Sequence, residues 1–126
     1  MPNIIVLFEV TIKDGKLDDY LARAAKPKDS LKNADGFIYS ERLSSISEKG
    51  KLLSKSEWVD EQCVEKWRNN ELHRLCQKHG RENDFADYKI TVVTPLRCYT
   101  FTERTNAPTD SNQYFGGEKY VLHKQI

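Results

Sequence analysis

The chain has 126 residues, which is about the size of one globular domain. Hydrophobic residues make up 38% and charged residues 31%, so the composition is far from that of disordered proteins. Lys and Arg number 20 against 19 Asp and Glu, and the resulting net charge of +1 excludes bulk attraction to nucleic acid or to an anionic membrane.

The lack of a targeting signal and the pattern of cysteines predict an intracellular chain. The longest apolar run covers residues 4–8, which is too short to cross a bilayer. The N-terminus lacks a basic segment and a small-residue cleavage site, so we expect a cytoplasmic location. Cys63, Cys76 and Cys98 are an odd number without a C-x-x-C pair, and we therefore expect reduced thiols and no bound metal.

The first half of the chain predicts a strand, an interrupted helix and a hairpin. The segment Ile4–Ile12 is rich in β-branched and aromatic residues, as a buried strand is. Apolar residues recur at helical spacing from Leu17, and Pro27 predicts a second helical segment, because its missing N–H is harmless at a helix start. Residues 37–46 and 52–59 then predict the two strands of a hairpin.

The second half predicts another interrupted helix. Asp60 is a suitable N-cap, since its carboxylate can accept a hydrogen bond from the first turn. The apolar spacing breaks at the two asparagines of residues 69–70 and resumes from Leu72. We expect Gly80 to end this helix.

A fourth strand is predicted after this helix. Residues 84–87 have the composition of a connection, and alternation from Tyr88 extends the strand toward Thr100. Pro95 favours an edge position or a bulge, because proline donates no backbone hydrogen bond.

The predicted order is strand, helix, strand, strand, helix, strand, which is the split βαβ arrangement. Right-handed crossovers then give a four-stranded antiparallel sheet with both helices on one face, an α+β ferredoxin-like fold. No helix is left to cover the other face. We therefore expect a second copy to cover it, which gives a homodimer through the sheet faces.

Composition divides the chain into a domain and a tail. We assign residues 1–102 to the domain and residues 103–126 to a C-terminal tail. Residues 106–112 are rich in Asn, Pro, Thr, Asp and Ser, which is typical of a linker. Residues 114–122 hold too many apolar side chains for a solvated tail, so we expect them to pack as an arm on their own or a neighbouring subunit.

Several segments occur in an order and at a spacing typical of one family. They are residues 34–37 (ADGF), 51–54 (KLLS), 58–61 (WVDE), 67–74 (WRNNELHR), 80–81 (GR) and 85–88 (FADY). Together they resemble the antibiotic biosynthesis monooxygenase (ABM) domain family over residues 3–100. The resemblance implies a dimer whose two sheets pack face to face into an α+β barrel.

The same resemblance bears on function. Members of the family include cofactor-independent monooxygenases that oxidise polyketide phenols, enzymes that degrade haem, and proteins that isomerise or bind small metabolites. Haem degraders of this fold use an Asn on the first strand, whereas residues 7–10 hold none, which counts against haem degradation. We expect a small-molecule substrate and no cofactor.

Three residues of the second helical region are candidate catalytic groups. The resemblance places Trp67 against the ligand, and its indole offers an apolar wall with one N–H donor. The imidazole of His73 can act as an acid–base catalyst, and the amide of Asn70 can donate to an oxyanion or enolate. Each has a structural alternative: a core tryptophan, a histidine bonded to a backbone carbonyl, and an asparagine that caps a helix.

Phe8, Tyr39 and Trp58 are candidate substrate-binding residues, because they can face a cavity between the sheet and the helices. Alternation places Phe8 on the same face of its strand as Val6 and Val10. It leaves open which face meets the helices. Glu41 and Arg42 are either a polar pair in the pocket or a solvated pair at the hairpin.

The sequence contains no nucleophile–base pair, paired carboxylates, phosphate-binding glycine loop or metal-ligand cluster. An enzyme of this kind would rely on chemistry that its substrate mostly performs, such as oxidation of an electron-rich phenol by O₂. The prediction is a cofactor-independent monooxygenase acting on a small aromatic or carbonyl metabolite. Two alternatives stay open: a non-catalytic, small-molecule-binding or stress-associated module, and an oligomeric scaffold clasped by the tail.

Overall fold

A computed structural model describes residues 3–115. The chain divides into two compact units, of which the first ends at Thr94 and the second begins at Pro95. Most of the arm predicted at residues 114–122 lies outside the described residues. Within residues 3–115, no helix is long and apolar enough to cross a membrane.

The first unit alternates strands and short helices. Its elements in the described residues are β1 Ile4–Ile12, α1 Leu17–Ala24, α2 Lys28–Lys32, β2 Phe37–Ser44, β3 Lys51–Trp58, α3 Glu61–Arg68, α4 Glu71–His79, a π-helical turn Gly80–Asp84 and β4 Phe85–Val93. Both predicted helix interruptions are confirmed, because α2 begins directly after Pro27 and α4 directly after Asn70. Asp60 caps α3 as predicted, since its carboxylate accepts a hydrogen bond from the Cys63 N–H at 2.9 Å.

Within the described residues the strands form one antiparallel sheet in the order β2-β3-β1-β4. This is the predicted α+β ferredoxin-like, split βαβ topology. Val10 and Ile12 of β1 are buried in a core with Leu52 and Phe85, and Phe8 packs against that core. Even-numbered residues of β1 therefore face the helices, and the odd-numbered residues face the opposite side, which we call the open face.

The fourth strand differs from the prediction at both ends. Phe85 begins β4 by pairing with Ile12, so residues 84–87 are not a connection as predicted. The prediction missed this because a register shift between Thr11 and Ile12 interrupts the regular ladder. β4 ends at Val93 and does not continue toward Thr100, in keeping with the missing backbone donor of Pro95.

The π-helical turn Gly80–Asp84 continues the chain past the predicted stop at Gly80. The carboxylate of Asp84 is fully buried and accepts two hydrogen bonds from the Arg23 guanidinium, at 2.9 and 2.7 Å. Nδ1 of His79 lies 3.4 Å from the same carboxylate. Arg23 is on α1 and His79 is on α4. The buried carboxylate of Asp84 therefore connects the first helical region of this unit to the second.

The second unit is organised around Arg104. Its guanidinium donates to the Asn112 side chain at 3.0 Å and to the Ser111 hydroxyl at 2.8 Å, and it lies 4.9 Å from the centre of the Tyr99 ring. Ser111 and Asn112 belong to a short helix, α5 Thr109–Tyr114. The prediction of a linker over residues 106–112 is therefore wrong for its second half, where these contacts hold polar residues in a helix.

Candidate functional site

Four rings form a connected aromatic cluster at one end of the helix-facing side of the sheet. Trp58, at the end of β3, is 1% exposed and lies 5.4 Å from Phe37 and 6.2 Å from Trp67, measured between ring centres. The indole N–H of Trp58 donates to the Ser56 hydroxyl at 2.9 Å, which satisfies its polar atom. Trp67 in turn lies 5.1 Å from His73.

The break between α3 and α4 brings Trp67 and His73 together. In a continuous helix, residues six positions apart would project about 120° apart around the axis. The chain instead interrupts the helix at Asn69 and Asn70, so that Trp67 lies in the last turn of α3 and His73 in the first turn of α4. The predicted pair of candidate catalytic residues is therefore in ring contact.

Asn70 is the N-cap of α4, which was the structural alternative to its catalytic role in the sequence analysis. Its side-chain oxygen accepts a hydrogen bond from the His73 N–H at 3.0 Å. The structure gives its side-chain NH₂ no hydrogen-bond partner among residues 3–115. Asn70 therefore positions the backbone of His73 and keeps an amide donor available for a ligand.

Burial lowers the pKa of the His73 imidazole from its ordinary value of 6.5, and the positive charge of Arg74 lowers it further. The ring is consequently neutral near pH 7. A neutral imidazole carries one nitrogen that can accept a proton, as a general base requires. The ring that carries it is in contact with the indole of Trp67.

Trp67 also lines a depression of 190 Å³ between α2 and α3. The other residues that line it are polar or small: Ser30, Asn33, Ala34, Asp35, Cys63, Lys66 and Asn70. An ion pair between Lys66 and Asp35 lies in the same wall. Trp67 and Asn70 thus border a concave surface that a small molecule can reach.

The candidate substrate-binding residues separate into two groups. Trp58 belongs to the aromatic cluster, and Phe8 lies on the same face of the sheet, 5.7 Å from Phe85. Tyr39 lies on the open face, where its hydroxyl donates to the carboxylate of Glu41. The structure therefore does not bring Tyr39 together with Trp67, and its role in binding stays a prediction.

Two further helix-facing residues adjoin these groups: Ser56, which sequence reasoning missed, and Arg42, which it considered only together with Glu41. Ser56 fixes the Trp58 indole, and Arg42 lies over the ring of Tyr20 at 5.9 Å. Alternate residues of a strand share one face, so the position of Ser56 beside Trp58 could have been predicted from the sequence. Glu41 lies on the open face and Arg42 on the helix-facing side, so the two do not form a polar pair in one pocket. Within the described residues, no group of three or more His, Cys, Asp or Glu is placed to hold a metal ion.

The fold and the aromatic cluster define an α+β ferredoxin-like domain with a concave site at its helices. Residues 3–79 match the family described as "Antibiotic biosynthesis monooxygenase". The jasmonate monooxygenase ABM of Pyricularia oryzae is 37% identical over 87 residues, which are 69% of this chain and 40% of that protein. The chain therefore belongs to the antibiotic biosynthesis monooxygenase family, and it spans less than half the length of this relative.

Solved structures share the fold at low sequence identity. A protein from Shewanella oneidensis has a TM-score of 0.69 at 14% identity, over 75% of this chain and 91% of that one. SnoaB from Streptomyces nogalater, described as a cofactor-independent oxygenase, has a TM-score of 0.67 at 10% identity, over 78% of this chain and 97% of that one. At such identities the likeness establishes the fold alone.

Proposed function

We propose that this protein is a cofactor-independent monooxygenase that oxidises a small aromatic or carbonyl metabolite with O₂. The observation that carries the proposal is the contact between the indole of Trp67 and the imidazole of His73, 5.1 Å apart between ring centres. The contact supports the proposal because an indole, which can bind a flat substrate, lies beside an imidazole that burial keeps neutral. Membership of the family supports the same reaction class.

The reaction needs little from the protein beyond positioning and proton transfer. An electron-rich phenol would stack on Trp67, and His73 would take the proton of its hydroxyl. In the resulting anion, a ring carbon forms a bond to O₂ and loses its hydrogen. The O–O bond then breaks, so that one oxygen stays on carbon as a carbonyl and the other leaves as water. The substrate supplies the electrons for both oxygen atoms.

The amide of Asn70 would stabilise the anion during this sequence. Asn70 borders the depression that Trp67 also lines. An amide donor directed at a developing oxyanion lowers the barrier without a change of protonation. The relative from Pyricularia oryzae is named for jasmonate, which is a cyclic ketone, and this supports the carbonyl half of the proposed substrate class.

Oxygen consumption tests the proposal. Purified protein is given jasmonate or 1,5-dihydroxynaphthalene, and O₂ uptake and product are measured for the wild type and for Trp67→Ala and His73→Gln. We expect kcat/KM to fall by about 30-fold for Trp67→Ala, from loss of about 2 kcal/mol of stacking and contact area. We expect a fall of about 10²- to 10⁴-fold for His73→Gln, from loss of the base.

His79→Gln is the matched control, because it makes the same chemical change outside the aromatic cluster. It should retain wild-type turnover. Unchanged turnover in both Trp67→Ala and His73→Gln would contradict the proposed site. Binding of these compounds without O₂ uptake would instead favour the non-catalytic, small-molecule-binding module.

We further infer that the open face of the sheet packs against a second copy of the chain. In the first unit, this face carries a diagonal row of apolar side chains from all four strands, flanked by charged residues such as Glu9, Lys55 and Lys89. The apolar residues are Ile5, Leu7, Leu43, Leu53 and Val93. A depression of 340 Å³ lies at one end of the row and is lined in part by Leu7, Leu43 and Leu53. Burying such a surface in a homodimer removes apolar area from water.

A further inference from the structure

We propose that Arg42 binds the carboxylate of the substrate, so that the molecule held by this site is an apolar acid. The proposal rests on the proposed function and deepens it by naming a charge on the substrate. It depends on where Arg42 lies, on the absence of an ion pair for it in residues 3–115, and on its distance from the aromatic cluster.

Arg42 lies on the helix-facing side of the sheet. It pairs with Ser54 of β3, which in turn pairs with Phe8 of β1, and Phe8 packs against the buried core beneath the helices. The guanidinium carbon is 5.9 Å from the centre of the Tyr20 ring on α1. Arg42 is an exposed residue, and its guanidinium therefore lies beside Tyr20 at the solvent-accessible border between the sheet and α1.

Arg42 forms no ion pair among the residues that the structure describes. Its neighbour Glu41 points to the open face and bonds to Tyr39, because successive residues of a strand project to opposite sides. Asp84, whose charge also acts on Tyr20, is already bonded twice by Arg23. Arg42 donates one hydrogen bond to the Tyr20 hydroxyl, and the other N–H groups of its guanidinium remain in the geometry that a carboxylate accepts.

The distance to the aromatic cluster fits one small molecule. Ser54, opposite Arg42, is four residues before Trp58 along β3, which corresponds to roughly 13 Å at the rise of a strand. The helix-facing residues between them, Ser56 on β3 and Ser40 on β2, have small side chains. A substrate with its reacting ring on Trp67 and a carboxylate on a short chain would span this interval.

Calorimetric titration of matched acids and esters tests the proposal. The probes are jasmonic acid with its methyl ester and 2-naphthoic acid with its methyl ester. We expect the wild type to bind each acid at least 10-fold more tightly than its ester at pH 7. Arg42→Gln should lose roughly 10- to 100-fold in affinity for the acids and change little for the esters. Arg42→Lys should retain part of the preference, because it keeps the charge but not the planar donor pair.

Lys78→Gln is the control, since it removes one positive charge from an exposed position on α4. It should bind acids and esters as the wild type does. The proposal is overturned if Arg42→Gln keeps the preference for acids, if the wild type binds acid and ester equally, or if neither acid binds. The proposed function fails on a different measurement, the absence of O₂ uptake in the wild type, so the two failures are distinguishable.

Discussion

The imidazole of His73 lies against Trp67 in a half-buried position, and this environment makes protein stability depend on pH. Burial lowers its pKa in the folded protein, while the unfolded chain retains the ordinary value of 6.5. As the pH falls below 6.5, the unfolded chain takes up a proton that the folded chain resists. The stability that neutral His73 contributes is therefore present above this pH and is lost below it.

Replacing His73 by Gln should flatten this dependence. Between pH 5 and 7, we expect the slope of the free energy of unfolding against pH to decrease by up to about 1.4 kcal/mol per pH unit, the limit for one proton. Urea unfolding at several pH values measures the slope. His79→Gln keeps the His73 imidazole, so the part of this slope that comes from His73 should be unchanged in that variant. A slope in His73→Gln equal to that of the wild type would show that another group titrates.

At this scale, the residue types and the family resemblance made Trp67 and His73 candidates from the sequence, and the structure shows their rings in contact. The sequence could not identify which side of the sheet each strand residue faces. The face on which Phe8 lies became clear only from the buried residues of β1 that share it. Tyr39 lies on the open face because a register shift between Phe37 and Tyr39 reverses the alternation of β2. Such a shift is set by tertiary pairing and leaves no local signal.

At the scale of elements, the turn before β2 depends on one glycine. Gly36 has a φ of +72°, and a Cβ atom there would lie 2.4 Å from the sulfur of Cys63 on α3. The backbone therefore turns in a conformation that favours glycine, directly against a helix. Gly15 has a similar φ of +78°, but a Cβ atom there would meet nothing within 4 Å.

These two glycines form a matched pair for mutagenesis. Gly15→Ala should cost about 1–2 kcal/mol in the free energy of unfolding, from backbone strain alone. Gly36→Ala should cost roughly 2–5 kcal/mol, since the clash with Cys63 adds to the same strain. Chemical denaturation measures both values. Equal costs at the two positions would mean that α3 moves away from the turn without penalty.

The elements themselves were largely predictable, because proline, paired asparagines and an aspartate N-cap act locally. Pro27, Asn69 and Asn70 mark the ends of helices in the structure as they do in the sequence. The start of β4 was not predictable, because Phe85 joins the sheet through pairing with Ile12, more than 70 residues earlier. α5 was missed because its sequence has no apolar periodicity. Hydrogen bonds from Arg104 hold this helix instead.

At the scale of the whole molecule, the proposed homodimer depends on the apolar residues of the open face. Leu53 lies within this face, paired with Glu9 on one side and Leu43 on the other. We expect the wild type to sediment with twice the chain mass of 14.6 kDa. Leu53→Lys should shift the mass toward that of one chain, because it would remove an apolar contact and bury a charge at the interface.

Ile46→Lys is the control for this experiment. It introduces the same charge at a fully exposed position after β2. Its mass should remain that of the wild type. A wild-type protein that sediments as one chain at micromolar concentration would contradict the homodimer, whereas the proposed site at Trp67 would be unaffected.

The strand order has a consequence for synthesis of the chain. In the order β2-β3-β1-β4, the two strands of the first βαβ half are not neighbours, and neither are the two strands of the second half. β1 instead pairs with β3 on one side and with β4 on the other. A nascent chain can therefore complete the sheet only after Val93 has left the ribosome. Until then β1 keeps an unpaired edge, and a chaperone has most opportunity to bind it.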